Sequence, residues 1–158
     1  MRNAFPLLLI ASLTTSAIGV DWTEVRYGPQ ASVGTSGFEF GAFAEFDILE
    51  DQYRLRPELF IHDKDRPAGA FAFLWHTTFL KLPENHDLYM GPRVAYHNGR
   101  ENDDARGELS YMALYNLPIP PIPGDSRHHL EIFAALGIID KDGTEVAATA
   151  GAGYFFKF

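Results

Sequence analysis

The sequence predicts an all-β fold, an eight-stranded antiparallel up-and-down β-barrel. The first observation behind this prediction is that eight segments of roughly 9 to 13 residues each carry apolar side chains at every second position. The second is that the breaks between these segments contain turn residues and are too short for a crossover helix, so neighbouring strands should pair as antiparallel hairpins. Eight such strands close into a barrel, because closure removes the exposed sheet edges.

The first four predicted strands cover residues 23–34, 38–48, 53–62 and 69–81. Their apolar faces begin, in that order, at Val25, Phe38, Tyr53 and Phe71. The breaks at 34–37, 50–51 and 63–68 contain Gly, Asp and Glu. This composition is typical of turns. Period two therefore fits each segment better than helical spacing does.

The last four predicted strands cover residues 87–98, 106–117, 129–139 and 146–158. Their apolar faces begin at Leu88, Leu109, Leu130 and Val146. The breaks at 83–86, 98–107, 118–126 and 140–145 are rich in Pro, Gly, Asn and Asp. All eight segments are therefore predicted to be strands.

Composition bounds the function before any motif is considered. The 158 residues suit one domain, and 46% of them are hydrophobic, which excludes a disordered chain. The formal charge of −8 argues against nucleic acid as a partner, since such proteins present basic patches. The absence of cysteine excludes disulfides, thiol catalysis and thiolate metal sites.

The first 19 residues are predicted to be a cleaved secretory signal peptide. Arg2 gives a positive start, an apolar stretch follows, and Ala17 and Gly19 occupy the small-residue positions of a cleavage site. Cleavage directly after Ala17 is the alternative. The stretch is too short and too interrupted by Ser and Thr to span a bilayer as a helix. The expected domains are thus a signal peptide, 1–19, and a barrel, 20–158.

The sizes of the two strand faces predict which face points outward. The apolar faces are heavy with Phe, Tyr and Leu, whereas the opposite faces mix charges with small residues such as Gly28, Gly41 and Gly91. An eight-stranded barrel is too narrow to hold the bulky set inside. The bulky set is therefore expected to face lipid, and the strand lengths match a tilted transmembrane β-strand. Tyr27, Tyr53, Tyr96 and Tyr154 lie where interfacial aromatic belts are found.

The C-terminal sequence Gly-Tyr-Phe-Phe-Lys-Phe carries a resemblance. Tyr154, Phe156 and Phe158 alternate on one face and end the chain. With the export signal and eight strands, this resembles small bacterial outer-membrane β-barrel proteins, whose C-terminal signal is recognised by the barrel-assembly machinery. The resemblance implies an outer-membrane location, periplasmic termini, contact with outer-membrane lipid and lipopolysaccharide, and a monomer. It does not select a family within that group.

The inward faces predict a charged interior. Seven carboxylates meet five cations there, so the balance favours paired charges that close the lumen as an ionic plug. A narrow pore is the alternative, opposed by the inward aromatics Phe43, Phe60, Tyr89, Phe133 and Phe155. The predicted polar residues are Glu24, Arg26, Glu39, Glu45, Asp47, Arg54, Arg56, Glu58, Arg93, Glu108, Glu131 and Lys157, together with His62, His76 and His97.

Counting residues outward from each predicted hairpin turn also predicts which interior residues lie next to each other. Pairing the fifth and sixth strands places His97 near Glu108, and pairing the third and fourth places Arg56 near His76. Each placement allows a register error of two residues.

The leading functional prediction is a structural or surface-interaction role, and the alternative is a lipid A-modifying enzyme. Some outer-membrane barrels are lipid A acylhydrolases or acyltransferases, and the candidates here are Ser36, His62 and His97. The His-x-Ser pattern of the deacylases is absent. Prolines 29, 57 and 92 resemble those that interrupt palmitoyltransferase-type barrels, but bulges are the simpler interpretation. No metal site and no cofactor are expected.

Overall fold

The computed structural model describes residues 25–35, 37–49, 52–62, 66–98, 105–119, 128–140 and 144–157, and for Arg66, Phe156 and Lys157 the backbone alone. The strands are β1 (Arg26–Gly34), β2 (Gly37–Ile48), β3 (Tyr53–His62), β4 (Arg66–His76), β5 (Asp87–His97), β6 (Arg106–Pro118), β7 (His128–Asp140) and β8 (Thr144–Lys157). Each strand pairs antiparallel with the next, and β1 pairs with β8. The predicted eight-stranded antiparallel barrel is confirmed. Within the described ranges, no helix has the length and apolar character needed to cross a membrane.

Strand β4 differs most from its prediction, which covered residues 69–81. It begins at Arg66, because His62 pairs with Arg66 and the connection shrinks to three residues, 63–65. It ends at His76, because β3 starts at Tyr53 opposite Trp75 and offers no strand partner beyond that point. Residues 77–86 form the turn into β5.

The two faces of the barrel are sorted as predicted. Bulky apolar side chains project outward from all eight strands, and Leu59 at 75% exposure and Leu136 at 64% are examples. The opposite faces bury arginines and carboxylates. Ile48 and Thr77, which the alternation placed outward, are buried instead, and both lie where a strand meets a turn.

Three mid-strand prolines interrupt three seams of the barrel in the same way. Pairing of β1 with β8 skips positions 28 and 29, pairing of β2 with β3 skips 56 and 57, and pairing of β4 with β5 skips 91 and 92. Proline has no N–H to donate, so the hydrogen bond toward the preceding strand of the barrel is missing at Pro29, Pro57 and Pro92. The other seams of these strands pair without such a break. The prolines are therefore local defects in a continuous ladder.

Inward-facing glycines let the barrel wall curve tightly. A Cβ added at Gly41 would lie 2.1 Å from the carbonyl oxygen of Leu59 and 2.6 Å from Cα of Phe60. A Cβ at Gly151 would lie 2.4 Å from the Phe133 ring. Aromatic side chains from neighbouring strands occupy the space that the missing side chains leave, as expected for strongly coiled strands.

We predict that Gly41→Ala destabilises the barrel by about 3 kcal/mol, because the new methyl group collides with backbone that cannot shift cheaply. Gly107→Ala is the matched control, since a Cβ at Gly107 would meet nothing within 4 Å. Urea unfolding of the refolded proteins in lipid vesicles measures both changes. Equal unfolding midpoints for the two variants would contradict this account of the glycines.

Candidate functional site: the charged interior

Arg56 on β3 occupies the centre of the interior and is completely buried. Its Nη1 donates to Glu45 Oε1 at 2.7 Å and to Glu131 Oε2 at 2.7 Å, and its Nη2 also donates to Glu131 Oε1. Nε donates to Glu58 Oε1 at 2.9 Å, and Nη2 donates to Gln30 Oε1 at 2.7 Å. One guanidinium thus joins three carboxylates from three strands, β2, β3 and β7, in a bidentate geometry that lysine could not reproduce.

An ion-pair chain runs from this centre toward the end of the barrel that holds the chain termini. Glu45 Oε2 lies 3.0 Å from Arg54 Nη1, and Arg54 Nε donates to Asp47 Oδ1 at 2.8 Å. Asp47 Oδ2 then lies 2.5 Å from Arg26 Nη2. The guanidinium of Arg54 also stacks 3.8 Å from the centroid of Tyr89, a cation–π contact that is favourable where water is excluded.

A second chain runs from Glu58 toward the opposite end. Arg93 Nη2 donates to Glu58 Oε2 at 3.1 Å, and Arg93 Nη1 donates to Glu108 Oε1 at 3.0 Å. Ser110 Oγ donates to the same Glu108 oxygen at 2.9 Å. Nε2 of His97 lies 3.3 Å from Glu108 Oε2. Charged contacts therefore extend along most of the lumen without a break.

The loop end of the lumen is closed by a smaller group around Glu39. Ser32 Oγ donates to Glu39 Oε2 at 3.0 Å, and His62 Nδ1 lies 3.7 Å from Glu39 Oε1. The rings of His62 and His97 have centroids 6.1 Å apart, and the Phe60 ring packs against His97 at 5.8 Å. The two histidine rings therefore lie between the carboxylates of Glu39 and Glu108.

Within the described part of the chain, the buried charged residues comprise four arginines and six carboxylates. The arginines are Arg26, Arg54, Arg56 and Arg93, and the carboxylates are Glu39, Glu45, Asp47, Glu58, Glu108 and Glu131. Charges this deeply buried persist when each is paired and hydrogen-bonded, which the contacts above provide. The site is therefore a network in which four buried guanidinium groups are shared among six buried carboxylates.

One part of the lumen is apolar, and the sequence predicted its aromatic members Tyr89 and Phe133 to point inward. Ala72, Leu74, Tyr89, Met112, Leu114, Phe133 and Ala135 form one buried cluster. On β6, Met112 and Leu114 are an even number of residues from Glu108, so the alternation places their side chains on the same inward face. This cluster packs the β4–β7 side of the lumen, where Arg93, Glu108 and Glu131 also project inward. The other buried charged residues lie on β1–β3.

The predicted lumen residues separate into three groups. Arg26, Glu39, Glu45, Arg54, Arg56, Glu58, Arg93, His97, Glu108 and Glu131 lie in the ion-pair chain. His76 does not, because it lies at the rim, where its ring stacks on Tyr89 and its Nε2 is 3.5 Å from Asp87. Asp47 and His62 also lie in the interior, where they contact Arg26, Arg54 and Glu39. Glu24 and the side chain of Lys157 fall outside the described residues.

One predicted neighbour pair is close and the other is not. His97 contacts Glu108, although the residue directly opposite Glu108 is Ala95, two positions along. The placement of Arg56 near His76 is wrong, since Arg56 pairs with Ala72 and His76 with Tyr89. The error follows from the predicted loop 63–68, because three of its residues belong to β4 and shorten the connection. The observed partner of Arg56, Ala72, lies four positions before His76.

Among the described residues, the candidates His62 and His97 contact carboxylates but no serine. His62 and His97 belong to the ion-pair chain, and Ser36 lies outside the described residues. Ser110 donates to Glu108, but Glu108 stands between Ser110 and His97, so the histidine is not placed to accept the serine proton. A search of the described side chains finds no group of three or more His, Asp or Glu residues that could hold a metal ion.

The assembly-signal residues are described only in part. Tyr154 is exposed on the outward face of β8, and its hydroxyl is hydrogen-bonded to His128 Nδ1. The side chain of Phe156 and the whole of Phe158 lie outside the described part of the chain. Recognition by the barrel-assembly machinery remains a prediction.

Comparison with known proteins yields a structural likeness. No family model matches the sequence, and no curated protein matches it. Among solved structures, the chain is similar to Neisserial surface protein A, with 13% identity, a TM-score of 0.49, and coverage of 85% of this chain and 96% of that chain. The barrel architecture follows from the strand pairing of this chain and does not depend on the likeness.

We predict that Arg56→Met destabilises the barrel by about 3–5 kcal/mol, because it leaves Glu45, Glu58 and Glu131 buried without their shared partner. The double variant Arg56→Met/Glu131→Gln should recover part of this loss, since one uncompensated charge is removed. Lys81→Met, in the exposed turn after β4, is the matched control and should leave stability unchanged. Urea unfolding in lipid vesicles measures all three, and an Arg56→Met midpoint equal to that of Lys81→Met would contradict the central role of Arg56.

Proposed function

We propose that this chain is an integral protein of the bacterial outer membrane, with a closed lumen and a structural or surface-interaction role. The single observation that carries the proposal is the distribution of side chains across the barrel wall. A belt of bulky apolar residues covers the outside, and ion pairs are buried inside. A water-soluble barrel has the opposite arrangement, with its apolar residues enclosed.

The apolar belt has the dimensions and composition that a bilayer requires. The strands are 9 to 14 residues long, which suits tilted strands that cross a hydrocarbon core. Soluble monomers rarely expose a continuous apolar surface of this extent. Closure of the sheet also satisfies the strand edges, which an open sheet could not do in lipid.

Aromatic side chains at the termini end of the belt support a membrane–water interface at that end. Tyr53 stacks on Phe73 with ring centroids 5.5 Å apart, and Trp75 packs against Tyr111 at 5.7 Å. Tyr115 is hydrogen-bonded to His86 Nδ1 at 2.7 Å. Tyr and Trp are enriched at membrane interfaces because their rings are apolar while their O–H and N–H groups reach water.

The filled interior favours a closed barrel over a pore. Arg56 and its carboxylates occupy the lumen on one side, and the cluster around Met112 and Leu114 occupies the other. Channels instead keep a water-filled path lined by polar groups. The alternative of a lipid A-modifying enzyme has no supporting contact among the described residues.

The connections at the loop end limit the area available for a partner. Between the strands they span residues 35–36, 63–65, 98–105 and 141–143. Long loops usually carry specific binding on such scaffolds, so short connections favour a structural contribution to the envelope. Outer-membrane lipid and lipopolysaccharide would then surround the protein, which we expect to be a monomer.

Membrane integration is tested by refolding the mature chain from urea into phosphatidylcholine vesicles. We expect the strands to resist added protease, and the unboiled protein to migrate differently from the boiled protein in gel electrophoresis. Folding in buffer without lipid or detergent, to a soluble monomer with the same strand content, would refute the membrane proposal.

Closure of the lumen predicts that the folded protein gives no stepwise currents in a planar lipid bilayer. A general porin prepared in the same way is the positive control, since its water-filled lumen conducts. Stable current steps from the refolded wild-type protein would contradict the closed lumen while leaving its membrane location intact.

A further inference from the structure

The seam between β1 and β8 closes the barrel without a connecting turn. Every other seam joins strands that follow each other in the chain, so the turn between them helps to set the register. At the β1–β8 seam, Ala31 lies opposite Ala152 and Val33 lies opposite Ala150. This pairing must be selected by the side chains of the two strands themselves.

The outward face of the seam does not distinguish the observed register from a neighbouring one. β8 presents Ala148, Ala150 and Ala152 in succession on that face. A slip of two residues preserves which face points outward, and in one direction it replaces Ala152 by Ala150 opposite Ala31. Alanine facing alanine offers no resistance to this slip, so the selection must come from the inward face.

On the inward face, Gly151 of β8 lies opposite Ser32 of β1. A Cβ at position 151 would lie 2.5 Å from the carbonyl oxygen of Ala31 and 2.7 Å from Cβ of Ser32. The slip described above would bring Thr149 opposite Ser32. Threonine carries the Cβ for which there is no room, and overpacking of this kind is destabilising. The side chain of Thr149 therefore blocks the slip.

Gly153 gives the same protection in the opposite direction. A Cβ at position 153 would lie 2.9 Å from Cε1 of Phe43 on β2 and 2.5 Å from Oε1 of Glu131 on β7. The opposite slip of two residues would bring Phe155 into this place, opposite Gln30. A benzyl group does not fit beside the Phe43 ring, so both slips are opposed from inside the lumen.

We propose that Gly151 and Gly153 form a register lock, which selects how the first and last strands pair when the barrel closes. Thr149 and Phe155 flank the two glycines on the inward face and make each two-residue slip too crowded. The lock resides in the pairing of β1 with β8, so it goes beyond the proposed function and does not depend on the membrane location.

A slip at this seam would also break the central contacts of Arg56. Gly153 lies between Gln30 on β1 and Glu131 on β7, and both of these side chains accept hydrogen bonds from Arg56. Two residues of slip would displace β8, with β7 attached to it, by about 7 Å relative to β1. Arg56 could then no longer hold both side chains. The lock therefore aligns the charged interior as well as the wall.

The test is disulfide trapping, which is specific because the chain contains no cysteine. Ala31→Cys/Ala152→Cys reports the native register, and Ala31→Cys/Ala150→Cys reports the slip. Residues directly opposite each other are about 5 Å apart, whereas those displaced by two are about 7–8 Å apart, beyond the reach of a disulfide. After refolding in phosphatidylcholine vesicles and oxidation with copper phenanthroline, we expect the native pair to crosslink roughly tenfold more than the slipped pair.

Thr149→Gly removes the blocking Cβ, so crosslinking of the slipped pair should rise by roughly tenfold in this background. Thr149→Ala is the matched control, because it also loses the hydroxyl group but keeps the Cβ. Its slipped pair should stay unreacted. Both cysteine pairs are compared as a ratio within the folded gel band, so a lower yield of folded Thr149→Gly does not affect the result.

Two results would overturn the register lock. One is equal crosslinking of the slipped pair in Thr149→Gly and Thr149→Ala. The other is crosslinking of the slipped pair in the wild-type background as strong as that of the native pair. Gel mobility of the wild type in vesicles is measured first, so a failure of the membrane proposal is distinguished from a failure of the lock.

Discussion

The interaction on which the rest of this structure depends is the contact of the Arg56 guanidinium with Glu45, Glu58 and Glu131. It binds strands β2, β3 and β7 across the lumen, and the Phe43 ring covers it at 3.9 Å from the guanidinium carbon. A charge in this position would be costly unless every hydrogen-bonding direction found a partner. Because three carboxylates meet one cation here, further arginines are needed on either side, and Arg54 and Arg93 supply them.

Because the charged residues fill the interior, they determine which residues must lie on the outer face. A barrel of eight strands has little interior volume, so once the ion pairs and the apolar cluster fill it, the bulky residues have only the outer face to occupy. The inward glycines provide the curvature that this crowding demands. The prolines are tolerated because each removes one hydrogen bond from one seam while the adjacent seam of the same strand stays paired. A closed interior also directs any functional contact to the wall and the loops.

The strands and their faces could be predicted from the sequence because a period of two is a local property. Seven of the eight strands lie within three residues of their predicted limits. Inward charge was predictable for the same reason. The contact between Arg56 and Glu131 was not, because β3 and β7 are not hairpin neighbours and meet only through closure of the barrel. The inward position of Tyr89 and Phe133 was predictable from the same alternation, whereas their packing with Met112 and Leu114 depends on closure of the barrel.

The measurement that tests the central claim most directly is fluorescence quenching of a single tryptophan placed on the outward face. In a Trp22→Phe/Trp75→Phe background, Leu59→Trp puts the probe at a position that is 75% exposed, and Lys81→Trp puts it in the turn after β4. We expect lipids brominated along their acyl chains to quench the probe at position 59, and aqueous iodide to quench the probe at position 81. Quenching of the position 59 probe by iodide but not by brominated lipid, in a folded barrel, would contradict the claim that the apolar face meets the membrane.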